Sequence, residues 1–131
     1  GMAKGATNMA LHYAMDRKTF GKAIAEHQAI QLKLAEMSTR AAAAELLVHQ
    51  AADKFDRHER CDLEAGQAKF FASEAAVQNS LDAMRVFGGY SYSPEYEIER
   101  FYRDAPLLCI GEGTNEIQRM IIAKQMVARA S

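Results

Sequence analysis

The segment from Gln28 to Arg57 constrains the fold of this chain most, because it keeps one apolar spacing without a single proline or glycine. Its apolar residues recur at steps of three and four, the period of a helix that buries one face. They are Ile30, Leu34, Met37, Ala41, Ala44, Leu47 or Val48, Ala51 and Phe55. Such near-heptad spacing is typical of antiparallel bundle helices. We predict a long helix whose polar side carries Lys33, Glu36, Arg40, Glu45 and Lys54.

Four further helices are predicted from the same periodicity, in a chain rich in alanine, leucine and methionine with only 2 prolines. They span Gly1–Asp16, about Leu63–Phe87, a short segment from Ser93-Pro94-Glu95 to before Pro106, and about Asn115–Ala128. No strand pattern is persuasive. The sequence therefore predicts one all-α domain over residues 1–131, a four-helix up-down bundle with an extra short helix.

The predicted helix ends carry capping signals. Asp62 is the natural N-cap of the third helix, and Gly88-Gly89 ends it by supplying a left-handed position. Thr114 or Asn115 can cap the final helix. One buried face is expected on that helix, made of Ile117, Met120, Ile121, Lys124 and Val127 or Ala128.

Composition and charge exclude several classes of function. The net charge is −1, with acids and bases interspersed, so neither a nucleic acid nor an anionic membrane surface is expected as a partner. No apolar run approaches the roughly 20 residues that a spanning helix needs, and the first residues do not form a signal peptide. Cys61 and Cys109 lack metal-ligand spacing, so we predict no metal and a reducing compartment, the cytoplasm or a mitochondrial matrix.

The stretch from Ile110 to Arg119 contains the strongest catalytic candidate. Glu112 stands between two glycines immediately ahead of a helix, whose first N–H groups are free to bind acceptors. Gly111 and Gly113 permit backbone angles closed to other residues and let a ligand approach the main chain. A carboxylate held in this way is suited to act as a general base. The same residues also fit an ordinary turn before a helix.

Three further groups are candidate binding residues. Arg17-Lys-Thr-Phe-Gly21 offers a guanidinium and a hydroxyl for a phosphate, or is a charged turn with Phe20 in the core. His27-Gln28 offers donors at a helix start, or a simple cap. Gly88-Gly89 could expose backbone N–H groups to an anion, or end a helix.

Together these motifs give the chain a resemblance to a known family. The motifs are Tyr13-Ala-x-x-Arg17-Lys-Thr-Phe-Gly21, Glu26-His-Gln28, Leu34-Ala-Glu-Met37, Gly88-Gly89, Glu99-Arg-x-x-Arg103-Asp-Ala105 and Glu112-Gly-Thr-Asn-Glu-Ile-Gln118. In this order and spacing they resemble the C-terminal helical domain of acyl-CoA dehydrogenases, over essentially the whole chain. The first helix, which begins without a cap, is similar to the inside of that domain's first helix. We therefore expect a piece of a larger flavoenzyme, without its N-terminal helical and middle β-domains.

The resemblance implies a reaction and its participants. Glu112 occupies the position of the base that removes the α-proton of an acyl-CoA thioester, while the β-hydride passes to FAD. The electrons then leave to an electron-transfer flavoprotein. Substrate contacts are implied for Gly111, Gly113 and Lys124.

The resemblance also implies cofactor contacts and an assembly. The implied FAD contacts are Arg17, Thr19, Phe20, His27, Gln28, Arg85, Gly88, Gly89, Thr114 and Glu116. In the family the Gly-Gly segment reaches the FAD of a neighbouring subunit, which implies a homodimer or homotetramer. Because most of the cofactor pocket lies on the other domains, we expect this chain alone to bind little FAD and to be inactive.

Three residues depart from the family pattern, and two other functions stay open. Arg85 replaces a frequent glutamine, Gly111 replaces a frequent aromatic residue such as tyrosine, and Ser91 breaks the Gly-Gly-x-Gly pattern. Gly111 is expected to alter chain-length or branching preference. One alternative is a flavin oxidase or monooxygenase of the same superfamily, although such enzymes commonly lack the glutamate. The other is a non-catalytic helical oligomerisation module.

Overall fold

Five α-helices make up the chain, and the third lies at their centre. The computed structural model describes residues 1–131. The helices are α1 (Met2–Asp16), α2 (Gln28–Asp56), α3 (Asp62–Phe87), α4 (Ile98–Ile110) and α5 (Asn115–Ala130). Helix α3 packs against each of the other four. The all-α prediction, with one short helix added to a bundle, is confirmed.

A β-hairpin that the sequence did not predict connects α1 to α2. Its strands β1 (Lys18–Thr19) and β2 (Lys22–Ala23) pair antiparallel, and a 3-10 turn at Ile24–Glu26 leads into α2. Phe20 and Gly21, between the strands, have φ angles of 51° and 81°. Positive φ at both central residues is the requirement of a type I′ hairpin turn. Strands of two residues are too short to show alternation in the sequence.

The apolar core consists largely of alanine. One cluster joins Ala6, Ala10 and Ala14 of α1 to Met37, Ala83, Val86, Phe87 and Ile98, and a second joins Ala3, Ala44, Ala75, Ala76 and Ala105. Small side chains let helix backbones approach closely, so α3 can be surrounded on all sides. A glycine serves the same purpose in α1, because a Cβ at Gly5 would lie 2.9 Å from the Phe101 ring.

A buried amide joins three helices inside this core. Asn79 is fully buried on α3, and its Nδ2 donates to the carbonyl oxygens of Ala3 (3.2 Å) and Met37 (2.8 Å). Its Oδ1 accepts from Nε of Arg40 at 2.7 Å. Every polar atom of the Asn79 side chain therefore has a partner, as a buried amide requires.

Lys33, Arg40 and Lys54, on the polar side of α2, reach buried acids of α3. Arg40 binds Asp82, Lys33 lies 4.0 Å from the same carboxylate, and Lys54 donates to Glu64 at 2.6 Å. These three residues of the polar side therefore pair with the central helix. Burial of a carboxylate is costly unless cations accompany it, so the acids of α3 draw the cations inward.

Three predicted helix ends were wrong. Cys61, not Asp62, occupies the N-cap position of α3, and Asp62 is bound by Arg60 Nε at 2.6 Å. Helix α4 begins at Ile98 rather than at Pro94. It also continues through Pro106 to Ile110. A proline inside a helix removes one backbone hydrogen bond, and here the packing of fully buried Ala105 against α1–α3 offsets that loss.

The buried face of α5 differs from the predicted one. Met120 is 72% exposed and Val127 is 69% exposed, whereas Asn115 and Gln125 are buried. Helix α5 approaches α3 at Gly66, where a Cβ would lie 3.1 Å from Ile122 Cγ1. The apolar stripe of α5 is therefore turned to the surface. No helix combines the length and the apolar character that crossing a membrane requires.

Candidate active site and cofactor groove

Glu112 lies on the short turn Gly111–Thr114 that joins α4 to α5. It has a φ of 54°, a left-handed conformation that is uncommon outside glycine. Its side chain is exposed and makes no hydrogen bond or ion pair. The turn thus presents a carboxylate that is free to accept a proton.

The two flanking glycines have different roles from those predicted. Gly113 has a φ of 83°, and a Cβ there would lie 2.9 Å from Gln118 Nε2, so glycine is required at this position. Gly111 has a φ of −70° and a ψ of 157°, which any residue can adopt. The prediction that both glycines supply special backbone angles was therefore wrong for Gly111. The effect of a glycine at position 111 is that no side chain projects from this part of the turn.

Helix α5 begins with two capping contacts. Thr114 is the N-cap, and its hydroxyl accepts from the Ile117 backbone N–H at 3.3 Å, which confirms one of the two predicted caps. Hydrogen bonds from its own backbone N–H and from Thr114 lower the pKa of Glu116. Thr114 and Glu116 thus complete the helix start next to Glu112.

Asn115, which follows the cap, anchors the turn to α3. Its Oδ1 accepts from Lys69 Nζ at 2.8 Å and from Ser73 Oγ at 3.0 Å. Its Nδ2 donates to Glu74 Oε1 at 2.8 Å. In the sequence Asn115 is only an alternative cap, and neither Lys69 nor Ser73 stands out. Both donate to Asn115, which lies more than 40 residues further along the chain.

A cleft of about 750 Å³ opens beside Glu112. Gly111 and Glu112 line one side of it together with Leu107 and Leu108 of α4. Alanines form much of the remaining wall, namely Ala3, Ala41, Ala44, Ala72 and Ala76. The second carboxylate in the lining, Glu45, is bound by Lys4 Nζ at 3.0 Å. Neither Gly113 nor Lys124, both predicted to contact substrate, lines this cleft, and Lys124 is exposed on α5.

A second groove, of about 620 Å³, gathers most of the predicted cofactor contacts. The predicted residues that line it are Arg17, Thr19, Phe20, His27, Gly88 and Gly89. They come from the hairpin, the start of α2 and the end of α3, so only the tertiary structure brings them together. A Cβ at Gly88 or Gly89 would meet nothing within 4 Å, which leaves their backbone open to a ligand.

The polar residues of this groove contact one another and its aromatic rings. Thr19 Oγ1 lies 3.1 Å from His27 Nε2, and Arg17 lies over the Tyr90 ring at 5.4 Å from its centroid. Phe20 is 97% exposed with its edge toward His27, so the alternative that places Phe20 in the core is wrong. Type I′ turn geometry points this ring outward, beyond the hairpin.

Aromatic rings that the sequence analysis did not single out form one wall of the groove. Tyr13 and Phe87 stack with their centroids 4.1 Å apart, and Tyr96 meets both rings edge-on. Burial raises the pKa of the Tyr13 hydroxyl. In the sequence Tyr13 and Phe87 fall on the apolar stripes of α1 and α3. They line the groove because the tertiary structure brings the ends of these two helices together.

Four of the predicted cofactor contacts lie outside this groove: Gln28, Arg85, Thr114 and Glu116. Gln28 is exposed at the first turn of α2. Arg85 donates to Asp82 Oδ1 at 3.1 Å, and Arg40 of α2 binds the same carboxylate. Gly88 has a φ of 63° but a ψ of −139°, so the residue that ends α3 has positive φ without the predicted left-handed helical ψ. Ser91 Oγ closes the following turn by donating to the Gly88 carbonyl at 2.7 Å.

These features define an all-helical domain that supplies one free loop carboxylate beside a cleft and a basic, aromatic groove elsewhere. The chain belongs to the acyl-CoA dehydrogenase family, since residues 1–127 match the family model described as "Acyl-CoA dehydrogenase, C-terminal domain". It is 50% identical to an acyl-CoA dehydrogenase of Bacillus subtilis over 127 residues, which are 97% of this chain and 34% of that protein.

Two further relatives extend the comparison. The chain is 44% identical over its whole length to a cyclohexane-1-carbonyl-CoA dehydrogenase of Geobacter metallireducens, of which it covers 34%. The solved structure of butyryl-CoA dehydrogenase from Megasphaera elsdenii superposes with a TM-score of 0.94 at 38% identity, over 96% of this chain and 33% of that one. The chain thus spans about a third of the length of the relatives it matches.

Proposed function

We propose that this chain is the C-terminal domain of an FAD-dependent acyl-CoA dehydrogenase in which Glu112 removes the α-proton of the acyl-CoA thioester. The observation that carries the proposal is the state of the two carboxylates at the cleft. Glu45 is bound by Lys4, whereas Glu112 has no partner and its oxygens are free. A general base must be within reach of the proton that it abstracts, and of the two carboxylates that line the cleft only Glu112 is without a cation.

The apolar lining of the cleft supports the same role. An α-proton of a thioester is weakly acidic, so the base must lose its water before it becomes strong enough. Alanine and leucine side chains line the space beside Glu112, and an acyl chain that fills this space excludes water from the carboxylate. We expect the remaining shielding to come from the domains that complete the protein.

The second groove fits one end of the proposed cofactor. Arg17 and Thr19 would bind its phosphates through a guanidinium and a hydroxyl, and the open backbone of Gly88 and Gly89 allows a phosphate to approach closely. When bound, FAD accepts the hydride from the β-carbon of the substrate. Gln28, Arg85, Thr114 and Glu116 lie outside the groove and would contact another part of the cofactor. The assembly proposed is a homodimer or homotetramer, in which Gly88-Gly89 reaches the FAD of a neighbouring subunit.

The substrate class proposed here is an acyl-CoA with a ring in its acyl group. Gly111 lines the cleft next to Glu112 and adds no side chain to it. A relative 44% identical to this chain is named for a cyclohexane-carbonyl thioester. The electron acceptor in this proposal is an electron-transfer flavoprotein, since a relative 43% identical is named as a subunit of a caffeyl-CoA reductase-Etf complex. Both cysteines are free thiols, which agrees with the cytoplasm or mitochondrial matrix as the compartment.

The test replaces Glu112 by glutamine in the full-length protein that contains this domain. The amide keeps the shape of the carboxylate but cannot accept a proton, so FAD should stay bound while acyl-CoA-dependent loss of the flavin absorbance disappears. Glu59→Gln is the control, because Glu59 is an exposed acid whose partner is Arg57. Normal flavin reduction by Glu112→Gln would place the base elsewhere.

An oxidase is the second candidate, favoured by one structural neighbour. The solved structure of the prolyl acyl carrier protein oxidase AnaB matches with a TM-score of 0.90 at 35% identity. Oxygen reactivity of the substrate-reduced full-length protein separates the two reactions. Rapid reoxidation in air without an acceptor protein would support the oxidase and contradict the dehydrogenase.

A further inference from the structure

We propose that Lys69, together with Asn115 and Ser73, forms a brace that positions the Glu112 turn for proton transfer. The proposal assigns no new reaction and rests on the function proposed above. The Glu112–Gly113 part of the turn has one weak side-chain contact, from Gln118 Nε2 to the Gly113 carbonyl oxygen at 3.5 Å. Glu112 has a φ of 54° and makes no hydrogen bond of its own. A non-glycine residue keeps such a conformation only where its surroundings impose it.

Lys69 contacts the chain on both sides of the turn. Its Nζ donates to Asn115 Oδ1 at 2.8 Å and to the Cys109 carbonyl oxygen at 3.4 Å. Cys109 lies in the last turn of α4, and Asn115 is the first residue of α5. One ammonium group therefore fixes the separation of the two ends from which the turn departs.

Asn115 transmits this constraint to the central helix. It is 2% exposed, and its amide uses both of its polar atoms on α3, accepting from Lys69 and Ser73 and donating to Glu74. Helix α3 packs against all the other helices, so it is the most constrained element to which the turn could be attached. Sites supported by rigid elements hold their geometry better than sites on loops.

The position of the brace connects it to the reaction. Lys69 and Ser73 line the same cleft as Glu112, so a shift of the brace moves the carboxylate relative to anything bound there. A displacement of about 1 Å in a catalytic group can cost on the order of 100-fold in rate. Lys69 is thus a positioning residue, which acts through the turn and not on the substrate.

The test measures catalysis and turn mobility in the full-length protein with Lys69→Met. We expect the rate of flavin reduction at saturating acyl-CoA to fall on the order of 100-fold, with flavin content and KM unchanged. Lys69→Arg keeps a donor in place and should recover most of the rate. Lys54→Met is the control, because it removes another partly buried lysine, one that binds Glu64 rather than the turn.

Amide hydrogen exchange provides a readout that does not depend on activity. Exchange at the Gly111 and Ile117 amides, which donate to the Leu107 carbonyl oxygen at 2.7 Å and to Thr114 Oγ1 at 3.3 Å, should accelerate about tenfold or more in Lys69→Met and stay unchanged in Lys54→Met. Should Lys69→Met fail to fold, Ser73→Ala removes one donor to Asn115 and should show the same pattern with a smaller amplitude.

The two readouts separate the brace from the proposed function. Unchanged exchange together with an unchanged rate overturns the brace. Faster exchange with a normal rate also overturns it as a positioning device. Failure of the unaltered full-length protein to reduce its flavin with any acyl-CoA overturns the proposed function, whereas faster exchange in that case still supports the brace as the element that holds the turn.

Discussion

Replacing Glu64 by glutamine should strongly destabilise the fold. Glu64 is 5% exposed on α3 and accepts from Arg129 of α5 through two bonds, of 2.7 and 3.0 Å. Lys54 of α2 donates to the same carboxylate at 2.6 Å. One carboxylate therefore joins three helices. Glutamine keeps its shape but leaves two cations without the charge that compensates them.

The magnitude follows from the pKa of this carboxyl group. The Arg129 hydrogen bonds, aided by Lys54 and opposed by burial, lower the pKa of Glu64 from 4.5 to about 2. A depressed carboxyl pKa stabilises the folded state above the unfolded value near 4.5, and this contribution is lost as the pH falls toward 2. The difference between the folded and unfolded pKa values corresponds to a contribution to the free energy of unfolding of roughly 3 kcal/mol at pH 7 and roughly 1.4 kcal/mol at pH 3.

Urea unfolding of the 131-residue chain and its variants at both pH values measures this difference. Glu64→Gln should lower the free energy of unfolding by roughly 3 kcal/mol at pH 7, with a Tm lower by roughly 10 °C, and by less than half of that energy at pH 3. Glu45→Gln is the matched control, since its pair with Lys4 is exposed to solvent and should contribute little to stability. Equal losses in the two variants, or a loss independent of pH, would refute the reasoning.

Four further outcomes follow from the structure. Asn79→Ala removes the hydrogen bonds that join α3 to α1 and α2 and leaves the Arg40 Nε without its acceptor, so it should cost about 2–3 kcal/mol in urea unfolding; a change under half of that contradicts its role. Gly113→Ala should cost about 1–3 kcal/mol because of its positive φ, whereas Gly111→Ala, with a negative φ and a Cβ 3.3 Å from the Leu107 carbonyl oxygen, should cost less; equal costs would contradict the assignment. The 131-residue chain should bind FAD too weakly to titrate at micromolar concentrations by fluorescence, and Phe20→Ala should not alter its Tm, since that ring is exposed.

The order and type of the helices could be predicted because they are local properties. A three-four apolar period over Gln28–Arg57 permits little except a long helix, and the structure places α2 over Gln28–Asp56. The turn carrying Glu112 could be located for the same reason, because glycines and a capping threonine act within a few residues. Gly113 has the positive φ that only glycine adopts readily.

Helix partners could not be predicted, because periodicity defines a face without saying what covers it. The apolar stripe of α5 predicted that Met120 and Val127 are buried, but both are exposed. Helix α3 contacts a different face of α5, where Gly66 lies next to Ile122. Pro106 indicated a helix end, and the packing of Ala105 outweighed that local preference. Such outcomes depend on which helices surround α3, and no short window of sequence contains that information.

Sequence by itself determined the helical class and the position of the Glu112 turn, both of which depend on neighbours in the chain. The tertiary structure alone decided that Arg17 and Gly88 line one groove and that Lys69 anchors the turn. It also decided that Arg129 and Glu64 pair across 65 residues. The physical reason is that a buried polar group is stable only with a partner, and the fold brings that partner from a distant part of the chain.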